Sequence, residues 1–304
     1  MGNRLLRRLD AESSVERIIG IDIRPPEIRS AKLTFYSCDI RSPEVCEIID
    51  REKVDTIAHL AFVLSSTRNK QQQYDIDVNG SRNVIEAVRR SRVTRVVLAS
   101  STSVYGVHAD NPNPIGEDSP RRPNPDNAYA VHKVEVEDLF FRLAGEKKEV
   151  TVTVFRPCMI LGPHMDNLIS RCAWQAPQIA GVIGYNPQLQ FVHEDDVVNA
   201  FSAAILQEMP GTYNLAGSGT ITFDRFCVLF RKRCIRLPFR LLYMLFSLGW
   251  VLRLPVVMFS PGWLYFLKDV LIVGTDRIQQ EYGFSPQYST EAALESYLAA
   301  RRAA

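Results

Sequence analysis

The chain has 304 residues, long enough for one large α/β domain or for a cofactor domain with a small substrate lobe. Hydrophobic residues make up 46% and charged residues 23%, which is ordinary for a soluble globular protein. The formal net charge is only +2, so no long-range field indicates nucleic acid as a partner.

The predicted elements alternate through the first two thirds of the chain. Runs of apolar and β-branched residues predict strands at 16–23, 32–40, 54–62, 95–101 and 150–157. Helical spacing predicts helices at 79–91 and 128–144, the second capped by Asn127 or Asp126. Strands that alternate with helices and are buried on both faces indicate a doubly wound, Rossmann-like α/β fold with a parallel sheet. Ligands bind at the carboxyl ends of the strands in such folds.

The alternation weakens from about Pro157 onward, where loops carry more Gly, Pro and Asn, and a helix is predicted at 291–302. We therefore expect a dinucleotide-binding domain over 1–156. Residues 157–304 are expected to form mainly a smaller C-terminal substrate-binding lobe, with some segments returning to the sheet.

One stretch of the chain is more apolar than the composition of a soluble protein leads one to expect. Two runs, LLYMLFSLGWVL (241–252) and LPVVMFSPGWLYFL (254–267), follow a basic cluster formed by Arg231, Lys232, Arg233, Arg236 and Arg240. A spanning helix needs roughly 20 consecutive apolar residues, and these runs are shorter and are cut by Arg253, Pro255 or Pro261. Two interpretations stay open: a pair of buried or pocket-lining helices, or peripheral contact of 231–267 with an anionic membrane surface.

The cysteines and the first residues indicate the cellular compartment in which the protein is expected. Six cysteines lie scattered, with no C-x-x-C pair, at positions 38, 46, 158, 172, 227 and 234. Reduced thiols in the cytoplasm account for this pattern better than a disulfide framework or a zinc site, and no histidine pair has metal-site spacing. The opening MGNRLLRRLD is too charged for a secretory signal peptide. We expect a cytoplasmic protein, membrane-associated if the apolar stretch contacts lipid.

Tyr129 and Lys133 lie four residues apart on a predicted helix, so both side chains project from one face. The preceding strand ends in three hydroxyl residues, Ser100 to Thr102, at the ligand-binding edge of the sheet. A free phenol titrates near pH ~10, but a neighbouring ammonium and the positive ring of an oxidised nicotinamide favour its phenolate. A hydroxyl that holds the substrate oxygen completes a proton-transfer set for hydride transfer at a secondary alcohol or ketone carbon.

The order of segments resembles that of the extended short-chain dehydrogenases, the NAD-dependent epimerase/dehydratase family, over nearly the whole chain. The matching stretches are GIDI, CDI, AHLA, DVNGSRNVIEA, VVLASSTSVYG, AYAVHK, FRPCMILGP, FVHEDDVVNAF and YNLAG. The resemblance implies that Tyr129 is the catalytic base and Lys133 its partner. It implies Ser101, three residues before the Val-Tyr-Gly triplet, as the catalytic hydroxyl, with Thr102 as the alternative.

The resemblance also gives expectations for two histidines and for the oligomeric state. His132 stands where a serine commonly precedes the lysine, and we expect it on the helix surface. His193 is expected to be structural. Enzymes of this type often pair through the helix that carries the tyrosine, so a homodimer is one expectation.

A nicotinamide dinucleotide is the cofactor that the pattern predicts. Asp22 ends a predicted strand, where a carboxylate can accept both hydroxyls of an adenosine ribose and repel a 2′-phosphate. This favours NAD, while Arg24 two residues later keeps NADP open. The resemblance implies cofactor contacts also from Gly2, Asp39, Ile40, Ala61, Asn79, Lys133 and Pro157.

An expected element does not appear before Gly2. The fold should open with a hydrophobic strand and a Gly-rich turn at a helix N-terminus, and in the family that strand lies between the second and fourth strands. Gly2 resembles the last glycine of the turn. Either the native chain begins further upstream, which we favour because Ser101, Tyr129 and Lys133 are kept together, or the chain is a degenerate copy. We expect the 304-residue chain to bind NAD poorly.

Two substrate classes stay open. Many nucleotide-sugar enzymes carry an arginine just before the Phe-Val-His stretch, where this chain has Leu189 and Gln190. The apolar run from Leu241 to Phe266 suits a sterol or lipid-like alcohol, as in the 3β-hydroxysteroid dehydrogenase branch. A third hypothesis is a dinucleotide-binding structural or membrane-associated subunit without turnover.

Overall fold

The computed structural model describes residues 1–64, 69–165, 173–254, 257 and 259–303. Its strands, in chain order, are β1 (Ile18–Asp22), β2 (Leu33–Ser37), β3 (Thr56–His59), β4 (Arg95–Ala99), β5 (Thr151–Pro157), β6 (Met159–Leu161), β7 (Gln178–Val182), β8 (Gln188–Leu189), β9 (Phe191–His193), β10 (Gly211–Leu215), β11 (Ile221–Thr222) and β12 (Arg233–Leu237).

The described helices fill the connections between these strands. In chain order they are α1 (Gly2–Asp10), α2 (Glu44–Arg51), α3 (Lys70–Tyr74), α4 (Gly80–Arg90), α5 (Ala128–Glu146), α6 (Glu194–Leu206), α7 (Phe223–Leu229), α8 (Phe239–Val251), α9 (Asp276–Tyr282) and α10 (Thr290–Ala303). A π-helical turn, Asp75–Asn79, joins α3 to α4, and 3₁₀ turns cover Thr102–Tyr105 and Pro261–Leu267.

A four-stranded parallel sheet in the order β10-β5-β4-β3 forms the centre of the molecule. β1 and β2 form a separate parallel pair, and within the described ranges no strand hydrogen-bonds to β1 and β3 together. In the described ranges β1 and β2 therefore stand apart from the four-stranded central sheet. Because the strands of the central sheet run parallel, their carboxyl ends meet at one edge, which fixes where a ligand site can form.

Helices cover both faces of the central sheet. Alternate residues of β4 point to opposite sides, so Val96 and Leu98 pack with α2, α4 and α5, whereas Val97 packs with α1 and α6. β5 repeats the division, with Val154 on the first side and Phe155 on the second. The predicted doubly wound α/β fold is confirmed.

The second half of the chain adds small sheets beside the central one. β6 pairs with β9 and β7 with β12, both in parallel, while β8 and β11 pair antiparallel. β10 returns to the central sheet, and the predicted C-terminal helix is present as α10. The described cysteines are all free, and Cys172 and Pro255 lie outside the described residues. In the described part of the chain, no helix combines the length and apolar character needed to cross a membrane.

A buried ion pair joins α5 to β5. The guanidinium of Arg156 donates to both carboxylate oxygens of Glu137, at 2.9 and 2.7 Å, and both side chains are almost fully buried. Ser100, which follows β4, donates its hydroxyl to the same carboxylate at 2.5 Å. Arg156 also donates to the phenolic oxygen of Tyr105 at 2.8 Å. Since every charge in this cluster has a partner, the network holds α5 in one position against the strand ends.

We expect Arg156→Met to lower the free energy of unfolding by about 3–5 kcal/mol, because the Glu137 carboxylate would stay buried without its guanidinium. Urea-induced unfolding followed by circular dichroism measures this change. The matched control is Arg89→Met, whose partner Glu146 is exposed, and which should cost less than about 1 kcal/mol. Equal losses in the two variants would show that the buried pair has no special role.

Candidate active site

Ser101 follows directly after β4 and begins the turn Thr102–Tyr105. Its backbone is extended, with φ −161° and ψ 150°, and its hydroxyl oxygen accepts a hydrogen bond from the Ser103 amide at 3.2 Å. This contact orients the hydroxyl at the carboxyl edge of the sheet. Its side chain also acts on the Tyr129 phenol, whose pKa it tends to lower, whereas Thr102 is buried in the turn.

Tyr129 is the second residue of α5, and it is positioned by the helix cap. Of the two expected caps, Asn127 is the one observed: its side-chain oxygen accepts from the Ala130 amide at 3.3 Å. Lys133 lies one turn further, with its Nζ 5.6 Å from the centroid of the Tyr129 ring. The ammonium donates to the carbonyl oxygen of Ala99, the last residue of β4. Ser101, Tyr129 and Lys133 are thus brought together at one strand end.

Burial controls the charge states of this cluster. It raises the pKa of Tyr129 to about 12; the hydrogen bond with Ser101 acts in the opposite direction, and the charge of Asp77 adds to the increase. Burial also lowers the pKa of Lys133 to about 7, against the attraction of Asp77 and Glu137 for the ammonium. At neutral pH the phenol is therefore protonated, and the lysine lies near the midpoint of its titration.

Aromatic rings flank Tyr129 on two sides. The ring of Phe62, three residues after β3, meets it edge-on at 5.4 Å between centroids. The ring of Trp263, from the second half of the chain, lies 6.3 Å away. Phe62 also covers the ammonium of Lys133, whose Nζ is 3.6 Å from the ring centroid. These apolar rings limit the access of water to Tyr129 and Lys133, and the desolvation shifts the pKa values of both groups.

A second buried pair, formed by Asp77 and His132, lies beside this cluster. Nδ1 of His132 is 2.9 Å from one carboxylate oxygen of Asp77, and the other oxygen accepts from the Val63 amide at 2.8 Å. The expectation that His132 lies on the helix surface was wrong: it is 7% exposed. The reason is that α5 turns this position toward the π-helical turn, where the fully buried Asp77 needs a hydrogen-bond donor.

Asn79 is not brought to Tyr129 and Lys133. Its amide nitrogen donates to Asp75 at 2.9 Å, and its amide oxygen accepts from Arg82 at 2.8 Å. From the same π-helical turn it is the charge of Asp77 that acts on Tyr129 and Lys133.

The acidic residues expected near the cofactor lie at the ends of β1 and β2. Asp22 is exposed and accepts a hydrogen bond from the Arg24 amide at 2.9 Å. The backbone of Cys38 donates to the carbonyl of Asp22 at 3.1 Å, so Asp39 follows close by. The Asp39 carboxylate is held by Arg41, at 2.8 Å, and this contact lowers its pKa.

The remaining candidates have different surroundings. Ile40 packs against the first turn of α4, and its carbonyl accepts from the Asn83 amide group at 2.8 Å. Ala61 is exposed after β3, and Pro157 is buried at the end of β5. Gly2 begins α1, and the space around its Cα is open to 4 Å. Ala61 and Pro157 lie at the same sheet edge as Ser101.

Lys133 predicts a measurable dependence of stability on pH. Its pKa is about 7 in the folded chain against an ordinary 10.5, so above pH 7 the folded state binds fewer protons than the unfolded state. The free energy of unfolding should rise from about pH 7 to pH 9, relative to Lys133→Met, by up to about 1.4 kcal/mol per pH unit. Urea unfolding across this range tests it. For Lys148→Met, at an exposed lysine, the free energy of unfolding should change with pH as it does in the wild type. If Lys133→Met also follows the wild type, the lowered pKa of Lys133 is contradicted.

Comparison with known proteins places this geometry in a family. The model of the NAD-dependent epimerase/dehydratase family matches residues 1–216. An uncharacterized protein of Mycobacterium bovis is 25% identical over 312 residues, covering 99% of this chain and 81% of the relative. A 3beta-hydroxysteroid-dehydrogenase/decarboxylase of Arabidopsis thaliana is 32% identical over 138 residues, 45% of this chain and 30% of the relative.

Solved structures share the fold across the whole length. MoeE5 in complex with UDP-glucuronic acid and NAD superposes with a TM-score of 0.77 at 19% identity, covering 99% of this chain and 95% of that one. A UDP-glucuronic acid 4-epimerase from Bacillus cereus in complex with NAD gives a TM-score of 0.74 at 16% identity, with the same coverage. With the family match spanning more than two thirds of its residues, the chain belongs to the NAD-dependent epimerase/dehydratase family.

Proposed function

We propose that this chain is an NAD-linked oxidoreductase that moves a hydride at a secondary alcohol or ketone carbon, with Tyr129 as the acid/base group. The observation that carries the proposal is the meeting of Ser101, Tyr129 and Lys133 at the carboxyl end of β4. A phenol, an ammonium and a hydroxyl at one strand end form a complete path for the proton that accompanies a hydride.

The residues at the adenosine-ribose end and at the strand ends beside Tyr129 fit a nicotinamide dinucleotide. The exposed carboxylate of Asp22 is available at the end of β1 to accept two ribose hydroxyls. Lys133 supplies a donor beside Tyr129, and Ala61 and Pro157 border the same sheet edge. When bound, the cofactor supplies the hydride acceptor or donor. The acidic side chain favours NAD over the more negative NADP.

Tyr129, Lys133 and Ser101 have different roles in the proton transfer. Tyr129 is protonated at neutral pH, so it is ready to donate its proton to a ketone oxygen during reduction. In the reverse direction the phenolate of Tyr129 accepts the proton of an alcohol and becomes the phenol, and a charged Lys133 lowers the free-energy cost of forming that phenolate beforehand. The Ser101 hydroxyl holds the substrate oxygen within reach of the phenol.

An apolar alcohol or ketone is the substrate class that we favour. Phe62 and Trp263 present rings on either side of Tyr129, and these rings suit an apolar substrate. Gln190 stands where a diphosphate-binding arginine was expected, and its amide bonds both backbone groups of Val273, at 3.0 and 3.2 Å. The partial match to a plant 3beta-hydroxysteroid-dehydrogenase/decarboxylase supports the same class. A nucleotide sugar remains the second candidate, because a rice UDP-glucose 4-epimerase also matches part of the chain.

Tyr129→Phe tests the catalytic assignment. We expect turnover to fall about 10²–10⁴-fold, because the phenol is the proton donor and acceptor, while calorimetry gives an NAD affinity close to that of the wild type. Absorbance of the reduced nicotinamide, followed with a panel of sterol-like alcohols and of nucleotide sugars, measures turnover. Tyr185→Phe, at an exposed tyrosine, is the control that keeps full activity. A wild type that binds NAD and turns over no member of the panel would favour the structural-subunit hypothesis.

Asp22→Asn tests the cofactor site. We expect the affinity for NAD to fall roughly tenfold, because charge-assisted hydrogen bonds to the ribose are lost. The affinity for NADP should rise, because the repulsion of the 2′-phosphate is removed. Titration calorimetry measures both constants. Asp110→Asn, which removes an exposed carboxylate paired with Arg122, should leave them unchanged, and an Asp22 variant that behaves like it would contradict the assignment.

A further inference from the structure

The outer face of α8 is apolar and exposed. Positions three and four residues apart share one side of a helix, and on α8 and its C-cap residue these positions are apolar. Their exposed fractions lie between 39% and 75%: Leu241, Met244, Leu245, Leu248, Val251 and Leu252. A continuous apolar face of this kind is uncommon on a soluble monomer and marks a site of contact.

The inner face of the same helix already has its own core. Leu242 and Gly249 are buried, and the ring of Phe246 lies 5.4 Å from that of Phe259. The hydroxyl of Tyr243 donates to Asp126 at 2.8 Å. The helix is therefore docked on the protein by one side, and its exposed apolar side is a second face.

The segment around α8 is more basic than the rest of the chain. Residues 225–268 contain eight Lys and Arg and no Asp or Glu. The rest of the chain contains the other 28 Lys and Arg and all 34 Asp and Glu, so its net charge is −6. Three of these cations are already used in ion pairs: Arg225 with Glu291, Arg236 with Asp224 and Lys268 with Asp269.

Exposed arginines border the apolar face. Arg240 lies in the first turn of α8, and Arg253 follows its C-terminal end, so a cation stands near each end of the face. Arg231 and Arg233 are also exposed, next to and within β12, the strand that leads into the helix. An apolar face with cations around it is the pattern of a helix that lies in the headgroup region of an anionic membrane.

We propose that the outer face of α8 binds the surface of an anionic lipid membrane, with its apolar side chains among the acyl chains and its arginines on the phosphates. Charge favours this occupant over a second copy of the chain. A symmetric pair of these faces would bring like-charged arginines together, which is unfavourable. An anionic lipid surface neutralises them.

The position of α8 gives the contact a consequence for the proposed function, on which this step rests. Tyr243 ties the helix to Asp126, three residues before Tyr129, and Trp263 from the following turn lies 6.3 Å from the Tyr129 ring. A membrane held at α8 would therefore lie beside the segment that bears Tyr129. This placement favours a substrate that partitions into the bilayer over one dissolved in water.

Co-sedimentation with vesicles tests the apolar half of the proposal. Wild type should sediment with vesicles of phosphatidylcholine mixed with phosphatidylglycerol, and less with phosphatidylcholine alone or at high salt. Leu248→Ser should lower the ratio of bound to free protein about tenfold. Leu206→Ser, at an exposed leucine of α6, is the matched control and should bind as the wild type does. Both changes make a surface more polar, so circular dichroism should show folded protein.

Charge reversal tests the electrostatic half. Arg240→Glu with Arg253→Glu should lower binding to the anionic vesicles by tenfold or more, at about fivefold per arginine removed. Arg142→Glu with Lys148→Glu changes the net charge equally at exposed sites on and just after α5, and should have a much smaller effect. NAD-linked turnover of a water-soluble alcohol without vesicles should be the same in all variants.

Three results would overturn the proposal. The first is a wild type that stays in the supernatant with anionic vesicles. The second is equal binding by the α8 variants and their controls. The third is a dimer in sedimentation velocity that Leu248→Ser dissociates, which would assign the face to a second copy. Lost turnover with retained vesicle binding would instead count against the proposed function alone.

Discussion

The buried ion pair between Arg156 and Glu137 is the interaction on which the rest of the site depends. Glu137 lies one turn after Lys133 on α5, and its carboxylate also binds Ser100, the residue before Ser101. One carboxylate therefore fixes both the helix that carries Tyr129 and the strand end that carries the hydroxyl. Proton transfer needs these groups within hydrogen-bond distance, and a shared anchor limits their relative movement. The buried charges are tolerable because the Glu137 carboxylate accepts four hydrogen bonds and the Arg156 guanidinium donates four.

The charge of Lys133 reflects a balance between enclosure and attraction. Its burial, with the ring of Phe62 over the ammonium, disfavours the charged form, while Asp77 and Glu137 favour it. Without the two carboxylates the lysine would be neutral over a wider range of pH. Without the enclosure it would stay charged and hydrated. A pKa near neutrality is the result expected of a group that must respond to the charge of a neighbouring phenol.

The sequence predicted those parts of the molecule that depend on local patterns. Hydrophobic periodicity indicated the strands and helices of the doubly wound fold, and the four-residue spacing placed Tyr129 and Lys133 on one helix face. Asp77 and His132, by contrast, lie 55 residues apart in the chain, and neither motif signals the other. Phe62 and Trp263 come from opposite ends of the chain, so their meeting at Tyr129 depends on tertiary packing. The one local signal was the unusual histidine before Lys133, which a surface position does not require.

The π-helical turn brings beside the site a residue that the motif match did not assign. The resemblance implies a cofactor contact for Asn79, whereas the side chain of this turn that pairs with His132 is that of Asp77. A carboxylate there cannot donate a hydrogen bond as an amide can, so it requires donors, which Val63 and His132 provide. The carboxylate also raises the pKa of both Tyr129 and Lys133. The same residue therefore opposes formation of the phenolate and favours the ammonium that would stabilise it.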